Sequence, residues 1–96
     1  MTHKIYIIED EPDIRETLVY NFQKENFEVN SSGNGIKGLE DIKITKPDVL
    51  ILDLMLPDIS GLEICRKIKN DDQLKNISII MLTAKGDEVD RIVGFE

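Results

Sequence analysis

Val49-Leu50-Ile51-Leu52-Asp53-Leu54-Met55-Leu56-Pro57-Asp58-Ile59-Ser60-Gly61 carries four apolar residues straight into an aspartate, then more apolar residues and a Pro, Ser and Gly turn. A short continuous run of Val, Leu and Ile reads as a strand buried on both faces, as in a parallel sheet. An acid that closes such a strand is costly to bury unless a partner or an ion neutralises it. Both the fold and the chemistry turn on where that partner lies.

Upstream, KIYIIED repeats the pattern: Ile5, Tyr6, Ile7 and Ile8 are continuous, and Glu9 and Asp10 follow. Pro12 suits the first turn of a helix. In that helix Ile14, Leu18 and Phe22 recur every four residues beside Val19, and the pattern fades near Asn26. FEVNSS is a weaker second strand, and a second helix is spaced at Ile36, Leu39 and Ile42 between Gly33 and Thr45 until Pro47 stops it. Downstream of the quoted stretch, a third helix carries Leu62, Cys65 and Ile68, the polar NDDQ ends it, and ISIIMLT forms a fourth strand. Val89, Ile92 and Val93 predict a fourth helix from Asp87. Strands alternating with helices over short loops imply right-handed crossovers and a parallel α/β sheet.

The chain of 96 residues is one small domain at most. Its formal charge of -7 argues against direct nucleic-acid binding by this segment, because such affinity comes largely from Lys and Arg on phosphates. Cys65 is the single cysteine, so no intrachain disulfide or cysteine zinc site can form; it reads as a buried helix residue. The apolar patch at the start is too short for a secretion signal or a membrane span, so a cytoplasmic chain with no membrane association is expected.

In open α/β sheets ligands sit beyond the carboxyl ends of the strands. The first strand ends there in Glu9 and Asp10, the third in Asp53 and the fourth in Thr83. If the first and third strands are neighbours, Asp10 and Asp53 converge with Glu9 beside them. Carboxylates about 4 Å apart repel by about 4 kcal/mol per pair at an effective dielectric of about 20. Mg²⁺ is the natural counter-charge, since it binds through one or two carboxylates and accepts phosphate oxygens. A carboxylate nucleophile, a metal and a hydroxyl are the parts of an aspartyl-phosphate site. Glu11 and Asp13 are read differently, as an acidic first helical turn favoured by the helix dipole.

IIEDE, LILDLMLPDISG and IIMLTAKGDEVDRIVGFE resemble, in order and spacing, the receiver domains of two-component response regulators, and more finely those of winged-helix transcription factors. The resemblance implies that Asp53 accepts a phosphoryl group from a sensor histidine kinase. Glu9, Asp10, Asp53 and the backbone carbonyl of Met55 would hold Mg²⁺, and Thr83 would be the switch hydroxyl. Ala84 would keep access to the site open, and Pro57 and Gly61 would shape its loop. It implies a flavodoxin-like (CheY-like) doubly wound α/β sheet of order 2-1-3-4, with residues 1–96 forming one receiver domain. The family's fifth strand, its lysine and its fifth helix are not matched, so a receiver truncated within the fourth helix is expected, with the fourth strand an exposed edge. Such a domain is a signalling phosphoprotein rather than an enzyme, with transcription as its output and a homodimer also allowed.

Three rival readings stand beside this one. Gly33 to Gly38, GNGIKG, is a literal G-x-G-x-x-G, with Asp53 twenty residues past Gly33. However, FEVNSS is polar where a nucleotide-binding strand is apolar, and acids at that sheet edge would repel a pyrophosphate. A haloacid-dehalogenase-like phosphatase needs D-x-D, and here Asp53 is followed by Leu54 and Met55, which cannot transfer a proton. A receiver-like scaffold that never turns over phosphate is the third.

Overall fold

The computed structural model describes residues 3–82 and the backbone of a strand at 92–95. Five strands, β1 (Lys4–Ile8), β2 (Glu28–Ser32), β3 (Val49–Asp53), β4 (Ser78–Leu82) and β5 (Ile92–Phe95), form one sheet in the order β2-β1-β3-β4-β5. The first four are parallel, so the expected order 2-1-3-4 holds and β1 lies directly beside β3. Between them run α1 (Pro12–Lys24), α2 (Gly35–Thr45) and α3 (Gly61–Lys69).

Strand alternation splits the core into two layers. Tyr6, Ile8, Leu50, Leu52, Ile79 and Met81 pack on one face with Ile42 of α2 and Ile64 and Ile68 of α3. Ile5, Ile7 and Ile51 face the other way, against Leu18, Val19 and Phe22 of α1. Because both faces are covered, β1 and β3 are continuously apolar rather than alternating.

Three helical details differ from the sequence pattern. Ile14, Ile36 and Leu62 are exposed, while Ile64 and Ile68 form the buried stripe of α3 and Cys65 is only partly buried against the core. Ile64 and Ile68 are four residues apart and share a helix face, whereas Leu62 is rotated off it. The chain leaves α2 through Lys46, whose N–H still binds the Ile42 carbonyl at 2.8 Å and whose left-handed φ of 48° then turns the chain out of the helix just before Pro47.

The expected fourth helix needs correcting at its end. Ile92–Phe95 is a strand paired antiparallel with β4, with Leu82 opposite Ile92 and Ile79 opposite Phe95. The expected exposed edge at β4 is thus occupied by the chain's own segment. Unpaired strand edges recruit whatever extended segment can satisfy them, and Ile and Val favour the extended form. The described chain thus has a fifth strand where none was expected, and it runs antiparallel to β4. The rest of the expected helix, 87–91, lies outside the described residues.

Candidate functional site

Parallel strands of matched length bring their carboxyl ends to one edge. Ile8 stands opposite Leu52, so Glu9 and Asp10, which leave β1, emerge next to Asp53, the last residue of β3. One carboxylate oxygen from each of Glu9, Asp10 and Asp53 lies within 4.8 Å of the others. Glu9 is 4% exposed and Asp53 7%, while Asp10 is open to solvent. Among the described residues none of the three pairs with a basic side chain.

The surroundings hold the anions only in part. Asp53 Oδ1 accepts the Met55 N–H at 3.1 Å, and Glu9 Oε2 accepts the Glu11 N–H at 3.1 Å. Burial pushes the Glu9 carboxyl up to about 7, against the Glu11 N–H and helped by the charges of Asp53 and Asp10. Asp53 is also raised, first by burial and then by Asp10, with the Met55 N–H opposing. Three hard oxygen donors, two of them buried and short of positive charge, fit a small divalent cation.

The loop after Asp53 is set by close approach. A Cβ at Gly61 would lie 2.7 Å from the Asp53 carbonyl oxygen and 2.9 Å from Leu54 Cα, so only glycine lets α3 start this near the strand end. Gly61 N–H also binds the Leu54 carbonyl at 3.1 Å, and Ser60 caps α3 by accepting the Glu63 N–H at 3.1 Å. Asp58, in the same loop, reaches across to α2: Oδ1 accepts the Gly35 N–H at 3.0 Å and Oδ2 the Ile36 N–H at 2.9 Å. With Asn34 Oδ1 on the Lys37 N–H at 2.9 Å, the first three N–H groups of α2 are satisfied.

The glycines that imitate a nucleotide motif have packing roles. A Cβ at Gly35 would meet Ile59 Cγ2 at 2.4 Å, and one at Gly38 would meet Ile8 Cδ1 at 2.6 Å. They let α2 lie close to β1 and to the Asp58 loop, which itself fills the helix N-terminus that a pyrophosphate would need.

Thr83, Ala84 and Lys85 lie outside the described residues. Leu82, before Thr83, stands opposite Asp53 in the β3–β4 register. The contacts of Arg15 with the Glu9 carbonyl and of Asp58 with α2 have no signature in the sequence. Their partners are main-chain groups of other segments, which leave no local pattern.

The family model for the response regulator receiver domain matches residues 5–96. The chain belongs to that family. Receivers of response regulators are signalling domains. This receiver is 40% identical over 94 residues to the phosphate regulon transcriptional regulatory protein PhoB of Rhizobium meliloti (strain 1021), covering 98% of the chain and 41% of PhoB. It is 34% identical over 96 residues to the alkaline phosphatase synthesis transcriptional regulatory protein PhoP of Bacillus subtilis (strain 168), covering 100% of the chain and 39% of PhoP. The chain therefore spans about two fifths of the length of these relatives.

Among solved structures, the receiver is similar to the response regulator TrrA of Thermotoga maritima in complex with Mg²⁺-BeF. The TM-score is 0.79 and the identity 37%, over 90% of this chain and 72% of that one. It is also similar to the chemotaxis response regulator CheY4 of Vibrio cholerae, with a TM-score of 0.85 and 25% identity over 91% of this chain and 72% of that one. No helix among the described residues is long and apolar enough to cross a membrane.

Proposed function

We propose that this receiver is the phosphoacceptor part of a transcription-regulating response regulator, and that Asp53 is the residue phosphorylated. The observation that carries this reading is the meeting of Glu9, Asp10 and Asp53 within 4.8 Å at one sheet edge. A phosphohistidine of a sensor histidine kinase is the donor: an Asp53 oxygen forms the new P–O bond as the P–N bond breaks and the imidazole leaves. Glu9, Asp10, Asp53 and the Met55 carbonyl would hold Mg²⁺. When bound, that ion neutralises charge on the transferring phosphoryl oxygens. The complex of the similar TrrA with Mg²⁺-BeF supports this choice of metal.

The Met55 N–H on Asp53 Oδ1 orients the carboxylate, and Gly61 fixes the main chain behind it. Thr83 is the switch hydroxyl in this reading, supported by Leu82 standing opposite Asp53. Phosphorylation adds about -1.5 to -2 charge and three acceptor oxygens, which a hydroxyl donor can bind. The domain carries the phosphoryl group on itself, so it acts as a signalling acceptor rather than as an enzyme with a released product. The direct test is phosphotransfer from a sensor kinase with Mg²⁺ present, followed by mass spectrometry of the peptide containing residue 53. Asp53→Asn abolishes labelling; stable labelling of that variant at the normal rate rules Asp53 out.

A further inference from the structure

Glu9 is held by its main chain as well as by its carboxylate. Its N–H donates to the Ser32 carbonyl at 3.1 Å, and its own carbonyl accepts from Arg15 Nη1 at 2.8 Å. Arg15 stands on α1, one turn past Glu11, and has no carboxylate partner within ion-pair distance among the described residues. A guanidinium this near an acidic cluster would ordinarily pair with an acid. Here it binds a backbone oxygen instead and leaves the three carboxylates unpaired.

Gly33 makes room for that choice. A Cβ at position 33 would lie 2.5 Å from Arg15 Nη1, 3.3 Å from Arg15 Cζ and 3.7 Å from the Glu9 carbonyl oxygen. The atoms in conflict are the far end of a flexible side chain, so an alanine at position 33 displaces the guanidinium while the backbone stays. The first glycine of the G-x-G-x-x-G stretch thus serves the acidic site from the loop between β2 and α2.

We propose that Arg15 is a positioning residue for Glu9: seated against Gly33, its guanidinium fixes the β1–α1 turn so that the Glu9 carboxylate converges with Asp10 and Asp53. The proposal rests on the reading of this cluster as a Mg²⁺ site. Its sign separates it from a plain charge effect. If Arg15 acted only as a nearby cation, removing it would strengthen Mg²⁺ binding by relieving repulsion. As a positioning residue its loss weakens binding, as loss of the outer partners of metal ligands does.

The experiment is isothermal titration of the 96-residue chain with Mg²⁺ alone, for the native sequence, Arg15→Ala, Gly33→Ala and the double variant. Arg15→Ala weakens Mg²⁺ binding roughly tenfold. Gly33→Ala weakens it in the same direction although Arg15 is intact, and the double variant is no weaker than Arg15→Ala. Tighter or unchanged binding in Arg15→Ala overturns the proposal, as does unchanged binding in Gly33→Ala. Amide hydrogen exchange without metal gives a second readout, in which the Glu9 N–H loses protection in both single variants. If the native chain binds no Mg²⁺, the metal reading fails, and the exchange result alone decides whether Arg15 positions Glu9.

Discussion

Glu9 carries the largest electrostatic liability at the site. Its carboxyl sits at about 7 in the folded chain against an ordinary 4.5, so between these values the folded state holds a proton that the unfolded state has released. The stability this contributes is fully present below about pH 4.5 and lost as pH rises through about 7; Asp53, also raised, acts in the same direction. In urea titrations without divalent cation, the midpoint falls across this window, and Glu9→Gln flattens the fall. Saturating Mg²⁺ restores the midpoint at pH 7.5, since a cation binding only the folded state stabilises it by mass action. Gly61→Ala is expected to cost about 1–3 kcal/mol in denaturant melts, because the new methyl meets rigid main chain at Asp53 and Leu54. The three acids were legible because each follows a buried apolar run, where a carboxylate has no cheap structural excuse. Arg15 and Asp58 were not, because an arginine on a carbonyl or an aspartate on two distant N–H groups has no periodicity.

Elements show the same contrast. Strands β1 and β3 were readable from continuous apolar runs, and α1 and α2 from their spacing and their prolines. The face of α3 was misread at Leu62 because two apolar stripes, at spacings of three and of four, coexist in LEICRKI, and only packing chooses between them. Asp58 joins two elements that the sequence treats as separate, tying the loop after β3 to the start of α2. The Ile36 and Gly35 N–H groups hold its carboxyl below the usual range, so the stability it contributes is present above that range and lost as pH falls. Asp58→Ala lowers the melting temperature at pH 7 and has progressively less effect as acid titrates the native carboxylate; an effect as large in acid as at pH 7 would refute this clamp. Tyr6 and Asp41 make a second tie, from β1 to the middle of α2, through a hydrogen bond of 2.7 Å. Burial first and then Asp41 push the Tyr6 hydroxyl upward, while Tyr6 holds Asp41 below its usual range.

Across the whole molecule the two core layers are unequal. The α2 and α3 side contains fully buried residues from both helices, whereas α1 contributes none. Ile64→Ala is therefore expected to destabilise by about 2–5 kcal/mol, while exposed Ile14→Ala stays within about 0.5 kcal/mol; paired urea denaturation curves check both. Short loops and right-handed crossovers make the sheet parallel but do not say which strands are neighbours; the order 2-1-3-4 follows from the likeness of IIEDE and LILDLMLPDISG to receivers, and β1 does lie beside β3. The last strand was not legible, because IVGF suits a helix or a strand, and a free β4 edge tips the choice. Its antiparallel pairing has a structural price for any newcomer. The side of β4 from Ile79 to Leu82 is already paired, so another chain seeking β4 itself must first unzip four residue pairs, and the edge that the sheet presents on this side is β5.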